Sequence, residues 1–387
     1  MIFKLNSFVI ICEIIMQILF SNVKCLTGCS IEIPIMGSGG NIGLILKIGT
    51  RRASLFFSLN IQSEYSYITD KNFNREDFKN STSLGKRNIT VDNINTIAEL
   101  LEDDLFFSQY ELTVPQFHLY FLNETFKKIA QLSLSYNSQF DEYSLIRLFK
   151  DNNIIDSYIF TLTIDENQFG RINFGEINKN DLKGPYKGDC NIQEDEWKCL
   201  LKTARVNNKT IYNTKSYAKF NIDNNIIKVP KEVYDYIGEH VFKPYIEEKK
   251  CSFHQVYNDE NFYSCFCSSI EDFPDFNFEI GNYLYTIKYY DLFWQYDGFC
   301  TFLIEENKNS NDFLFGSTFF IKYQSIFNYE NKKITFLTNF RNEIEFVYDQ
   351  YHKTKVMLCL SDGIILLLSV IGLIINKIVA TNNNIPS

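Results

Sequence analysis

The stretch Ile48-Gly49-Thr50-Arg51-Arg52-Ala53-Ser54-Leu55-Phe56-Phe57-Ser58-Leu59-Asn60-Ile61-Gln62-Ser63 runs from a turn through an apolar segment into a polar loop, and Tyr67-Ile68 follows. From Ile42 to Ile68 the chain is largely apolar and β-branched, with breaks at Gly49-Thr50 and at the loop that Asn60 opens. That pattern predicts successive strands of one sheet. A second stretch repeats the design. Ala218-Lys219-Phe220 leads into Asn221-Ile222-Asp223-Asn224, then Ile226-Ile227 and Pro230. Asn60 lies eleven residues after Gly49, and Pro230 lies nine after Asn221.

At 387 residues the chain suits two packed halves better than one small domain. A hydrophobic share of 45% and an aromatic share of 16%, with 36 Phe and 24 Tyr, supply a large core. The formal charge of −9 lacks the basic face that nucleic acid requires, so no such partner is expected. The glycines at 37–40 miss the dinucleotide fingerprint, because Ile42 stands where its third glycine belongs. No cofactor is expected.

Outward from the two loops, further segments follow in order. Ile89-Thr90 is strand-like, and Ile97 to Leu105 contains no glycine. Leu132-Ser133-Leu134-Ser135-Tyr136 is followed by helical spacing over Tyr143 to Phe149. Gly170 to Ile177 is a strand; Trp197 opens another, and Asn207-Asn208 suits a hairpin turn. Pro230 to Val241 has helical spacing with proline at its start. Phe313-Leu314-Phe315-Gly316-Ser317-Thr318 and Ile334-Thr335-Phe336 close the series.

Across residues 42–340 this order and spacing resembles the pepsin family of aspartic proteases. The resemblance implies an all-β, bilobal fold with short helices, an N-terminal lobe over 42–175 and a C-terminal lobe over 176–340. It places Asn60 and Asn221 at the positions of the two catalytic aspartates, and Ser63 and Asn224 beside them in the cleft. Val91 and Asp92 fall where the family's flap carries Tyr and Gly, and Ser317 replaces a C-lobe aspartate. A Cys267–Cys300 bridge is also implied.

The exchange at 60 and 221 bears on chemistry. Aspartic proteolysis needs two carboxylates that share one proton, one activating water and the other protonating the scissile carbonyl. An amide matches a carboxylate in shape but has no usable pKa. The expectation is therefore a non-hydrolytic ectodomain that binds a peptide or protein in the interlobe cleft or on its surface. The alternative is an atypical aspartic endopeptidase using Asp223. That residue falls two positions late, and its side chain is expected to point elsewhere.

The ends and cysteines suggest a compartment. Lys4 and the apolar run Phe8 to Phe20 have signal-peptide architecture, with residues 1–24 removed and 25–41 as a short lead. Twenty residues from Val356 to Ile375 suffice to cross a hydrocarbon layer of about 30 Å as a helix. A stalk over 341–355, one membrane helix over 356–376 and a tail over 377–387 are expected. The chain is thus expected in the secretory pathway as a single-pass membrane protein with a lumenal or extracellular ectodomain.

Ten cysteines agree with an oxidising compartment. Cys251 with Cys265, and Cys190 with Cys199, are the local pairs to expect. Cys251-x2-His254 with Cys265-x-Cys267 has zinc-like spacing, but the compartment favours disulfides over metal. Sequons at Asn80, Asn88, Asn123 and Asn208 permit glycosylation.

Overall fold

The computed structural model describes residues 30–346 apart from 39–40, 50–52, 70–74, 92–93, 109, 123–129, 137–143, 177–181, 183, 195, 208, 256–260 and 341–343 with 339–340. The expected signal, the membrane segment, Cys25, Cys29, Asp92, Asn123 and Asn208 lie outside the described residues. Among those residues no helix is long and apolar enough to cross a membrane.

Two β halves share one layer. In it, Ser30–Ser38, Gly170–Gly175, Ile159–Ile164, Gln324–Asn328, Lys333–Thr338 and Tyr186–Gln193 pair antiparallel in that spatial order. Ile31, Ile33 and Ile35 alternate with Glu32 and Pro34, a period of two that buries all three isoleucines. The sequence reading had placed this strand in a lead segment and begun the sheet at Ile42. Past residue 340, Ile344–Phe346 forms another short strand in which Ile344 is buried, inside the expected stalk.

Each half contains the same three-strand arrangement. In the first, Ala53–Asn60 runs parallel to Ala130–Ser133, with Leu59 opposite Leu132, and Tyr67–Thr69 lies antiparallel on its other side. In the second, Ser216–Phe220 runs parallel to Phe313–Phe315, and Ile227–Val229 meets that strand antiparallel at Lys228 and Leu314. A strand distant in sequence is thus inserted between two consecutive ones. The loop joining the outer pair must arch over the end of the insert, and Asn60 and Asn221 begin those loops.

The aromatic residues pack between the halves. Phe160 and Phe327 stack at 4.5 Å, and Trp197 meets Phe327 edge-on at 5.1 Å and Tyr329 at 4.8 Å. Trp197 is buried, and its indole Nε1–H donates to the Leu134 carbonyl at 2.9 Å. The Tyr329 hydroxyl donates to the Leu134 and Ser135 carbonyls at 3.1 and 2.9 Å. The polar tips of Trp197 and Tyr329 thus both find acceptors, as burial demands.

Helices are short. Leu145–Asp151 covers the expected helical spacing. Lys231–Ile237 starts immediately after Pro230, then widens to a π turn over Gly238–Phe242 and continues as Lys243–Glu247, beyond the expected end at Val241. Among the described residues three disulfides form, Cys190–Cys199, Cys251–Cys265 and Cys267–Cys300, and the last two occupy the cysteines with zinc-like spacing. Two of them staple a four-stranded sheet built from Cys251–Gln255, Asn261–Phe266, Phe299–Phe302 and Phe293–Tyr296.

The Cys267–Cys300 bridge closes a loop of 33 residues. Replacing both cysteines by serine is expected to lower stability by about 3–4 kcal/mol on the loop-entropy scale, measured as a shift of the urea midpoint. An unchanged midpoint would show that the bridge constrains little.

Candidate functional site

At the mouth of the first loop, the Asn60 side chain is almost wholly enclosed. Its Oδ1 accepts the Gln62 and Ser63 amide hydrogens at 2.8 and 2.9 Å. Its Nδ2 donates to Gln131 Oε1 and to Asp223 Oδ2, both at 3.1 Å. An amide side chain offers two acceptor sites and two donor hydrogens, and all four are taken. Two N–H donors on one side and a carboxylate on the other also fix which end is oxygen.

The second loop supplies the carboxylate. Asn221 N–H donates to the Phe315 carbonyl at 2.9 Å, tying the loop to the inserted strand. Asn221 Oδ1 accepts the Asp223 N–H at 3.2 Å. This side chain-to-backbone turn curls the loop within two residues. Asp223, 7% exposed, is thereby turned toward the first half.

The sequence expectation that Asp223 would point elsewhere is overturned by that turn. The contact between halves runs from Asn60 to Asp223, and Asn221 spends its carbonyl inside its own loop. Gln62 reinforces the crossing: its Nε2 donates to the Trp197 and Phe220 carbonyls at 2.9 and 3.0 Å. Nothing in the apolar patterning pointed to Gln62 or Gln131. The signal was their position, polar residues flanking otherwise apolar segments.

The remaining expected residues have defined places. Ser63 closes its own loop, exchanging hydrogen bonds through its hydroxyl with the Tyr65 main chain, while its carbonyl accepts from the Ser133 hydroxyl. Asn224 Oδ1 accepts the Ile226 N–H at 3.2 Å, and its carbonyl accepts the Ser317 N–H at 2.6 Å. Gly316 lies so close that a Cβ there would stand 2.4 Å from the Ile226 carbonyl oxygen and 2.6 Å from that of Asn224. Val91 is buried with Ile89, Tyr67 and Tyr120 in a small separate core, so the end of strand Thr82–Val91 is anchored to its own half. Asn80 and Asn88 are exposed.

A charged clasp steadies the strand before Asn221. Lys219 Nζ lies 3.1 Å from Asp312 Oδ2, and Asp312 Oδ1 accepts the Tyr217 N–H at 3.2 Å. Burial pushes the Asp312 carboxyl up, but the Lys219 hydrogen bond and charge, with hydrogen bonds from the Tyr217 N–H and Ser310, together hold it below the usual carboxylate range. The stability from that carboxylate is present above its unfolded pKa and is lost as pH falls through the lower folded one.

The structure is mostly β, with two halves that carry equivalent three-strand motifs and loops that meet. The model of the family described as eukaryotic aspartyl protease matches residues 120–338, more than half of the chain. The chain belongs to that family. This aspartyl-protease assignment covers the Asn221 loop and leaves the Asn60 loop outside the matched residues. Among solved structures, the aspartic proteinase from Irpex lacteus superposes with a TM-score of 0.64 at 11% identity, over 81% of this chain and 99% of that one. At that identity the likeness is one of fold. No curated protein matches the sequence.

As arranged, the aspartyl-protease chain presents an amide and a carboxylate where its two loops meet. Of the two groups in contact, only Asp223 carries a titratable proton. Among the described residues, no group of three or more His, Cys, Asp or Glu side chains is placed to hold a metal.

Asn60→Asp brings a second carboxylate within about 3.1 Å of Asp223 Oδ2. Like charges at that distance raise the pKa of one of them above its unfolded value. The variant should therefore match the parent most closely below about pH 4 and lose stability as pH rises through the raised pKa, a trend readable in melting temperature between about pH 3 and pH 8. A pH-independent difference would place the two oxygens apart. Gly316→Ala should cost about 2–4 kcal/mol, because the obstructing atoms are main chain, and denaturant unfolding measures it.

Proposed function

We propose that this chain is a pepsin-like ectodomain that does not hydrolyse peptides by the two-carboxylate mechanism and acts by binding a peptide or protein segment. The observation that carries the reading is the fully occupied Asn60 amide opposite Asp223. Water activation in this family calls for one ionised and one protonated acid in contact. Here the partner of Asp223 has no proton to give or take in the working range, and its hydrogen-bonding sites are committed. General acid or base assistance contributes about 10²–10⁴-fold each, so substitution of one partner by an amide removes most of the rate.

Asn60 and Asn221 stand, on this reading, at the family's two aspartate positions. The cross-links from Asn60 and Gln62 hold the halves at their junction, so a peptide would be bound by backbone pairing and side-chain pockets rather than processed. The apolar segment 356–376 supports a membrane tether, and the N-terminal run with three disulfides supports a secretory route with glycosylation at the exposed Asn80 and Asn88. Asp223 favours a second reading, an atypical endopeptidase in which that carboxylate serves as the base.

Purified full-length protein incubated with denatured protein substrates between about pH 3 and pH 7 should give no cleavage above that of an Asp223→Asn control, as loss of the acid partner implies. Cleavage that stops with a transition-state-mimicking peptide and disappears in Asp223→Asn would instead establish the second reading. Gain of acid-range cleavage by Asn60→Asp with Asn221→Asp would mark a cleft otherwise intact.

A further inference from the structure

The four-stranded sheet stapled by Cys251–Cys265 and Cys267–Cys300 has two unlike faces. Side chains alternate between them along each strand, and the cross-strand register fixes which ones share a face. Cys251, Cys265 and Cys300 stand in one row, Tyr263, Phe293 and Phe302 point the same way, and all six are buried. The opposite face is bare. On it Phe266, Phe299 and Tyr296 lie directly across from one another on three strands, and Trp294 sits two residues before Tyr296. All four are half exposed or more. Phe266 and Phe299 are 5.4 Å apart between ring centroids, and Trp294 stacks on Tyr296 at 5.9 Å.

The other positions on this face carry hydroxyls, one Phe and one His; among the described residues it has no Asp, Glu, Lys or Arg. Asp297 lies beyond the rows, in the turn between the last two strands. Contiguous exposed aromatic surface of this kind marks a contact site, and its size selects the occupant. Four strands about 4.8 Å apart, over about five residues at about 3.4 Å each, present about 300 Å². A specific protein interface buries about 800 Å² on each partner, so this face alone holds neither a second copy nor a protein partner. A bilayer surface sets no such minimum for a chain tethered to it, because the contact is then intramolecular. Trp and Tyr settle at the headgroup level, and a face without carboxylates, ammonium groups or guanidinium groups gives up no ion hydration on entering.

We propose that this face seats on a lipid bilayer, with Trp294, Tyr296, Phe299 and Phe266 entering the boundary between headgroups and acyl chains. The proposal rests on the reading of 356–376 as a membrane tether. Nine residues, 347–355, separate the strand Ile344–Phe346 from that segment. Such a linker spans at most about 30 Å, which keeps the folded halves within reach of the surface. Zwitterionic headgroups are the fitting lipid, since a chain of net charge −9 gains nothing from anionic ones.

The chain carries its own probe, because of its two tryptophans Trp197 is buried and Trp294 is exposed. Full-length protein is reconstituted into phosphatidylcholine vesicles brominated either near the top of the acyl chains or near their ends. Trp294 emission should be quenched at least about two-fold more by the first lipid, since interfacial rings enter only about 5–10 Å. Trp294→Phe, in which Trp197 alone emits, should lose that difference. Tyr296→Ser with Phe299→Ser should cut the quenching by about two-fold while circular dichroism shows the fold intact. Trp294 emission indifferent to both lipids would overturn the proposal, and a dimer in detergent alongside it would assign the face to a second copy. Vesicle flotation reads the tether separately. Protein that floats with Trp294 unquenched keeps the tether and loses the face; protein that does not float loses the tether, and the face with it unless Trp294 is still quenched.

Discussion

The inserted strands impose one constraint that governs the centre of the molecule. When Ala130–Ser133 enters between Ala53–Asn60 and Tyr67–Thr69, the loop over its end loses its neighbours on both sides. The main-chain N–H groups of Gln62 and Ser63 then lack sheet partners, and an unpaired buried N–H costs about 1–3 kcal/mol. Asn60 Oδ1 meets both. A carboxylate could do the same, which is how an aspartate and an asparagine can serve one backbone. The amide differs on its other side, where it donates rather than accepts, and so a carboxylate is the natural neighbour across the junction.

That polarity explains why Asp223 and not Asn221 faces Asn60. Two amide groups would also have paired, but at roughly half the strength of a charge-assisted hydrogen bond. With Asn221 turned inward to hold its own loop, position 223 delivers the acid. Gln62 adds two hydrogen bonds to carbonyls of the opposite half, those of the buried Trp197 and Phe220. The halves are joined by side chains whose donors and acceptors match, on top of the aromatic packing around Trp197.

Much of this was legible before any coordinates. The echo of two strand–loop–strand segments carried the family resemblance, and that resemblance implied the bilobal β architecture. The disulfide partners followed from compartment and proximity for Cys190–Cys199 and Cys251–Cys265, and from the family resemblance for Cys267–Cys300. The strand Ser30–Ser38 was missed although Ile31, Ile33 and Ile35 alternate, since its pairing partner lies far along the chain. Asp223 was misjudged for a local reason. Counting positions assumes an extended loop, and the Asn221 side chain bends it.

The shared central layer has a consequence for how the chain comes to exist. Ser30 pairs with Gly175 and Phe160 with Phe327, so the layer interleaves early and late segments. Its contributions from Gln324–Asn328 and Lys333–Thr338 are synthesised long after Ile159–Ile164. At about 5–20 residues per second, strand Ile159–Ile164 waits roughly ten to thirty seconds for its partner Gln324–Asn328. During that interval Ile159–Ile164 is paired on one side only, and its open edge is a template for unwanted association. Biogenesis of this molecule is therefore a problem of guarding an unfinished sheet.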